Sequence, residues 1–131
     1  MLKPPPSQFK STSGFKRIAG AVRYSLAGLM AAWQNEHAFR QEAVVFVVAI
    51  GIALGVEISV VSKLLLIGVL VLVLIVELIN SAIEAVVDRI SLERHPLSRN
   101  AKDFGSAAVF LTVLLAVATW IAVLLPLCYQ R

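Results

Sequence analysis

Four polar side chains stand at fixed intervals in an otherwise apolar stretch: Glu77, Asn80, Glu84 and Asp88. Their spacing of i, i+3, i+7 and i+11 puts them within roughly 80° of one another on a helix, with Ser81 bordering the same face. A carboxylate near mid-membrane costs about 2.5–3.5 kcal/mol on insertion scales, so such a stripe must face protein or a wet cleft. Paired carboxylates one and two turns apart suit a divalent cation, because Mg²⁺ takes a few carboxylates and fills its shell with phosphate oxygens and water. A deeper, partly desolvated carboxylate could accept a proton from a hydroxyl. At about 1.5 Å per residue, Glu77 lies about 10 Å from Glu84 and about 16 Å from Asp88 along the axis. The expected division is metal and phosphate at the mouth, near Asp88, and a general base further in. A structural polar seam between helices is the competing reading.

The elements that must hold this stripe follow from composition. The chain has 131 residues, 59% hydrophobic and only 15% charged, against about 45–50% and about 25% for soluble domains. A water-soluble chain this short could not bury so much apolar surface, so a soluble globular enzyme and a disordered chain are both excluded. About 20 apolar residues cross the hydrocarbon core as a helix, and helices satisfy their own backbone groups there. Three spans are expected, at about 38–56, 62–90 and 101–126. Ten of the twelve Lys and Arg precede the first span, lie between the second and third, or sit within three residues of those span ends; Lys63 and Arg131 are the exceptions. The N-terminus and second loop are therefore expected on the cytoplasmic side.

Ahead of the first span, Phe15, Ile18, Val22, Leu26, Leu29 and Trp33 recur on one helical face. Such a basic amphipathic stretch, about 14–35, predicts a helix lying on the membrane surface. Residues 1–13, with Pro4-Pro5-Pro6 and no apolar core, read as a flexible tail rather than a signal peptide. The lone Cys128 allows no intrachain disulfide. Pro96 is expected to break the second helix, and Ser98 or Asn100 to cap the third, leaving Lys102 and Asp103 in its first turn. A lysine at a helix N-terminus is a ready phosphate site. No P-loop or protein-kinase glycine motif occurs, nor any zinc set. On the residues alone, phosphoryl transfer and ion-coupled transport both remain open.

Three runs carry a resemblance: Asn35 to Glu42 (NEHAFRQE), Val76 to Arg89 (VELINSAIEAVVDR) and Ala101 to Val109 (AKDFGSAAV). The patterns E-x-x-N-[ST]-A-I-E-x-x-x-D and A-K-D-x-[GA] together are highly specific, and from about Gly14 onward the chain resembles the prokaryotic diacylglycerol kinase family. The resemblance implies an all-α integral membrane protein, a surface helix plus three transmembrane helices, assembled as a homotrimeric helical bundle with shared active sites in the cell inner membrane. It implies ATP as co-substrate, Mg²⁺ as cofactor and diacylglycerol as the lipid partner, with no nucleic acid. By motif position, Glu77 would be the general base. Glu36 and Glu84 would hold the metal, with Asn80 and Asp88 supporting them. Arg17, Tyr24, Glu36, Glu84, Glu93, Arg94, His95, Lys102 and Asp103 would contact the nucleotide. Arg17, Trp33, Ala38, Phe39, Arg40, Gln41, Glu42, Glu77 and Ser106 would line the lipid side. Before Ala101 the chain carries Arg99-Asn100, where relatives often have a small residue followed by a basic one; Arg99 is then the candidate for that charge.

The nearest alternative is a related undecaprenol kinase with the same machinery. A small proton-coupled transporter with Glu77 as carrier, and a non-enzymatic assembly protein with the stripe as a packing seam, are the readings from other classes.

Overall fold

A computed structural model describes residues 14–90 and 95–129, all but a few of them in four helices. They are α1 (Gly14–Asn35), α2 (His37–Gly55), α3 (Val60–Ile90) and α4 (Pro96–Tyr129). Among the described residues there is no strand. The tail residues 1–13 and the loop residues Glu93 and Arg94 lie outside the described residues. The chain divides into two compact units, residues 1–35 and 36–131.

In the first unit, α1 carries the expected apolar stripe, and Phe15, Ile18, Val22, Leu26, Leu29 and Trp33 are all exposed. The Arg23 guanidinium sits 5.3 Å from the centre of the Tyr24 ring, within cation–π range.

In the second unit, α2, α3 and α4 are each long and apolar enough to cross a membrane. α3 is the middle element, packing on both α4 and α2. Its buried positions are Leu66, Val69, Val73, Glu77 and Asn80, a spacing of 3, 4, 4 and 3 that marks one seam of a helix. The apolar core is small: Val69, Val73 and Ala116, flanked by Leu70 and Trp120. Most large apolar side chains of these helices point outward, as expected where lipid is the solvent.

Two hydroxyls of α4 are satisfied within their own helix. Thr112 Oγ1 donates to the carbonyls of Ala108 and Val109, at 3.2 and 2.8 Å, and Thr119 Oγ1 donates to Leu115 O at 2.8 Å. This back-bonding lets a hydroxyl sit on a lipid-facing helix without another partner. One bond is long-range: Trp120 Nε1 donates to Leu66 O at 3.2 Å, tying α4 to α3.

The helix ends show why the chain turns where it does. Ser59 caps α3, its Oγ accepting from Ser62 N at 3.0 Å, the usual satisfaction of a free N-terminal amide. Lys63 Nζ donates to Leu54 O at 3.1 Å, closing the α2–α3 turn on a terminal carbonyl of α2. At the other turn the sequence expectation needs correcting. α4 starts at Pro96, not near residue 101, and its cap is His95 rather than Ser98 or Asn100. His95 O accepts from Arg99 N at 3.1 Å, and its Nδ1 accepts from Leu97 N at 3.2 Å. Proline has no amide hydrogen to satisfy and its φ is already helical, so at the first helical position it begins a helix.

Replacing Trp120 by Phe keeps an aromatic ring but removes the indole N–H that bonds Leu66 O. The variant should lose about 0.5–1.5 kcal/mol of stability, read as a lower midpoint in a detergent-unfolding titration.

Candidate active site

The site is built on the continuation of the α3 seam. Through Leu66, Val69 and Val73 the buried face is apolar; at Glu77 and Asn80 it turns polar without leaving the packing interface. Glu77 is only 5% exposed and Asn80 8%. One turn on, Glu84 is half-buried, and Asp88 is exposed. The stripe read from the sequence is thus real, and it runs from protein interior to open surface.

α2 supplies further carboxylates. Glu36 is the residue before α2, with extended backbone (φ −104°, ψ 113°) and no side-chain capping bond. Its backbone carbonyl takes the first helical bond, from Arg40 N at 3.3 Å. The carboxylate is therefore not consumed in capping, although this is where acidic side chains usually cap. Glu42 lies on α2 itself, at the cavity that opens among α2, α3 and α4. Glu42 Oε2 is buried and accepts no hydrogen bond among the described residues.

Asn80 links the stripe together. Its Nδ2 donates to Glu84 Oε1 at 3.2 Å. Its Oδ1 has no hydrogen-bond partner among the described residues and presses against Gly105 of α4, whose missing Cβ leaves the room.

The charged residues at the start of α4 are arranged differently from the sequence expectation. Because the helix begins at Pro96, Lys102 lies in the second turn, not the first, and so away from the free amides of the helix N-terminus. Its Nζ pairs with Asp88 Oδ1 at 2.6 Å. Asp103 pairs with Arg99 at 3.5 Å across one helical turn, both side chains well exposed.

Beside Glu42 a cavity of about 270 Å³ opens among α2, α3 and α4, walled by apolar side chains including Val45, Leu70, Val73, Ala116 and Val117, with Gln41 and Glu42 as its polar members. Of the other lipid-side candidates, Phe39 is buried, Ala38 and Ser106 are exposed, and Arg40 donates to His37 Nδ1 at 2.8 Å. Arg17, Tyr24 and Trp33 lie on α1 and are exposed; His95 is engaged in its cap. Sequence reasoning missed the contact between Gly105 and Asn80: the glycine was visible, but its neighbour is 25 positions away on another helix.

The donor chemistry fits Mg²⁺. Carboxylate oxygens of Glu36 and Glu84 are hard ligands, and Asn80 already orients one of them. Among the described residues no three acidic, His or Cys side chains converge tightly enough to form a complete cage. Mg²⁺ commonly takes one or two protein carboxylates and fills the rest of its shell from phosphates and water.

The Lys102–Asp88 pair is open to solvent, and exposed pairs contribute about 0–1 kcal/mol. Asp88→Asn should therefore change the unfolding midpoint little. A loss well above 1 kcal/mol would show that the pair is a structural clamp between α3 and α4.

Comparison with known proteins gives the same direction. The chain is 54% identical over 120 residues to a diacylglycerol kinase of Pseudomonas aeruginosa, covering 92% of this chain and 98% of that protein. It is 53% identical over 110 residues to the diacylglycerol kinase of Escherichia coli K12, covering 84% and 90%. Against that of Haemophilus influenzae the identity is 40% over 109 residues, covering 83% and 92%. The profile of prokaryotic diacylglycerol kinase matches residues 23–124, and with that match the chain belongs to the prokaryotic diacylglycerol kinase family.

Proposed function

We propose that the protein transfers the γ-phosphoryl group of ATP to the hydroxyl of 1,2-diacylglycerol, giving phosphatidic acid at the cytoplasmic face of the inner membrane. The observation that carries this reading is the position of Glu77, a buried carboxylate where an apolar seam gives way to an acidic one. A carboxylate there can meet an alcohol whose body stays in lipid, while the phosphate donor approaches from the open end. Helix arithmetic supports it. At 1.5 Å per residue, the 31 residues of α3 reach about 46 Å, against about 30 Å of hydrocarbon. With the Val60 end flush with the core, the helix leaves it near residue 80, so Glu77 lies about one turn inside and Glu84 and Asp88 outside.

In this reading Glu77 takes the proton of the lipid hydroxyl as its oxygen attacks the γ-phosphorus, and the bond to ADP breaks in line. Such transfers depend on alignment and charge neutralisation more than on covalent help. Mg²⁺, when bound, supplies that neutralisation at the phosphate oxygens. Glu36 and Glu84 would hold it, and Asn80 keeps Glu84 aimed. Asp88 holds Lys102 by the open end, where the ammonium can turn to a phosphate. Arg17, Tyr24, Glu93, Arg94, His95 and Asp103 complete the nucleotide side in the proposal. The cavity beside Glu42 suits an acyl chain. Gln41, Arg40, Phe39, Ala38, Trp33 and Ser106 belong to that lipid side.

The same reading takes the working unit as a homotrimer and the N-terminus and second loop as cytoplasmic, in line with ten of twelve basic residues falling there. The relatives described above are all named diacylglycerol kinases, which favours the glycerolipid over undecaprenol.

Purified protein in mixed micelles with labelled ATP and Mg²⁺ should label dioleoylglycerol well above undecaprenol. Label in neither lipid would defeat both kinase readings. Glu77→Gln should lower kcat by about 10²–10⁴-fold, the usual contribution of a general base, with ATP affinity and unfolding midpoint close to wild type. Near wild-type turnover would sink the base assignment.

A further inference from the structure

Arg40 is held at both ends of the residue. Its backbone N–H donates to Glu36 O at 3.3 Å, and its Nη2 donates to His37 Nδ1 at 2.8 Å. A guanidinium can only donate, so Nδ1 of His37 is the acceptor and the ring proton belongs on Nε2. The bond joins residues three apart, which are neighbours on a helix surface. Phe39, between them in sequence, is buried and pins the turn on which both stand. A planar fork on a long stem is thereby given one orientation.

Helix arithmetic says where that fork stands. The buried positions of α2 are Phe39, Ala49 and Ala53, and they mark its packed side. At about 100° per residue, Glu36 lies about 100° round from the middle of that side, Arg40 about 140° and His37 about 200°. The three form one arc, which leaves the packed side at the metal carboxylate of the proposed site and ends on the outer face of α2. On it Arg40 is half-buried and His37 exposed. In the proposed topology this end of α2 is the cytoplasmic boundary of the span.

The proposed reaction changes the charge of the lipid at this boundary. Diacylglycerol arrives neutral and leaves as a phosphate monoester, a group that carries about 1.5–2 negative charges near neutral pH. Glu36, Glu77, Glu84 and Asp88 all repel such a group, so a cation between them and the lipid favours its departure. A guanidinium suits the task, because its fork matches two phosphate oxygens at once.

We infer that His37 and Arg40 form a seat for the phosphate of the lipid product. Arg40 takes the phosphate, and His37 is a positioning residue that sets the orientation of the guanidinium. The inference rests on the reading that this chain phosphorylates a lipid alcohol at Glu77.

The test uses the full chain in mixed micelles with dioleoylglycerol, labelled ATP and Mg²⁺, and reads inhibition by added dioleoyl phosphatidic acid. Dioleoyl phosphatidylglycerol, a phosphodiester, and inorganic phosphate are the comparison anions. Phosphatidic acid should inhibit the wild-type protein where the other two do little. His37→Ala should raise the Ki for phosphatidic acid by about two- to tenfold, the worth of one hydrogen bond. Its kcat and its KM for ATP and for dioleoylglycerol should stay near wild type. His37→Asn, whose side-chain oxygen can accept, should recover most of the loss. Arg40→Gln should raise the Ki by about tenfold or more, as expected for a charged donor. Adding His37→Ala to it should change the Ki no further. A wild-type Ki in His37→Ala overturns the inference, as does a double variant in which the two effects multiply. An equal rise in the KM for ATP also overturns it, by putting the pair on the nucleotide side. Inhibition by phosphatidylglycerol as strong as by phosphatidic acid shows a general contact with anionic lipid, and inhibition by inorganic phosphate a free-ion site; either overturns it, as does a wild-type protein that phosphatidic acid leaves uninhibited. If Arg40→Gln fails to fold, His37→Ala against His37→Asn decides. No label in dioleoylglycerol removes the reading of the reaction and this inference with it; label with an unchanged Ki removes the inference alone.

Discussion

A membrane helix can carry carboxylates only where something other than lipid covers them. In this chain that constraint puts the acids on the packing face of α3, the one face already committed to other helices. Leu66, Val69 and Val73 make the seam and Glu77 and Asn80 continue it, so assembling the bundle and burying the acids are one event. α4 meets the same seam at Gly105, where an added Cβ would come up against the Asn80 side chain.

Burial along the stripe is graded, and so is the chemistry each position can do. Glu77 is shut in and suited to handling a proton; Glu84 is half-covered and tethered; Asp88 is open and already paired with Lys102. One helix thereby places three carboxylates in three solvents. Glu42 joins from α2, at the cavity between the three helices, and Glu36 stands just before that helix. A purely structural seam would have its polar groups matched to one another. Here Glu42 Oε2 and Asn80 Oδ1 are buried without hydrogen-bond partners among the described residues.

What the sequence made legible was periodic. Three long apolar runs and a four-member polar stripe are properties of single helices, and both appear in the structure, as does the amphipathic face of α1. What it hid depends on two segments at once. Whether Pro96 ends one helix or starts the next turns on the residue that caps it, and His95 is not a residue usually counted as a cap. That shift of start moved Lys102 out of the first turn and towards Asp88. The Trp120–Leu66 bond joins positions 54 apart, and the fit of Gly105 on Asn80 depends on the register between α3 and α4. Neither leaves any trace in the local pattern of either helix. Glu36 stood out only through the family motif, because a lone acid before a helix reads as solvated or as a cap.

In the proposed reading, with the lipid seated beside Glu42, the cavity bears on selectivity. Its walls are almost wholly hydrocarbon, with Gln41 and Glu42 the polar residues beside it. Such walls sense bulk and length, at about 0.8 kcal/mol per methylene, but nothing about functional groups. Discrimination between one lipid alcohol and another must then fall on the few atoms next to the hydroxyl, where the carboxylates and amides are. A protein built this way would be tolerant of acyl tails and exacting about the head that carries them.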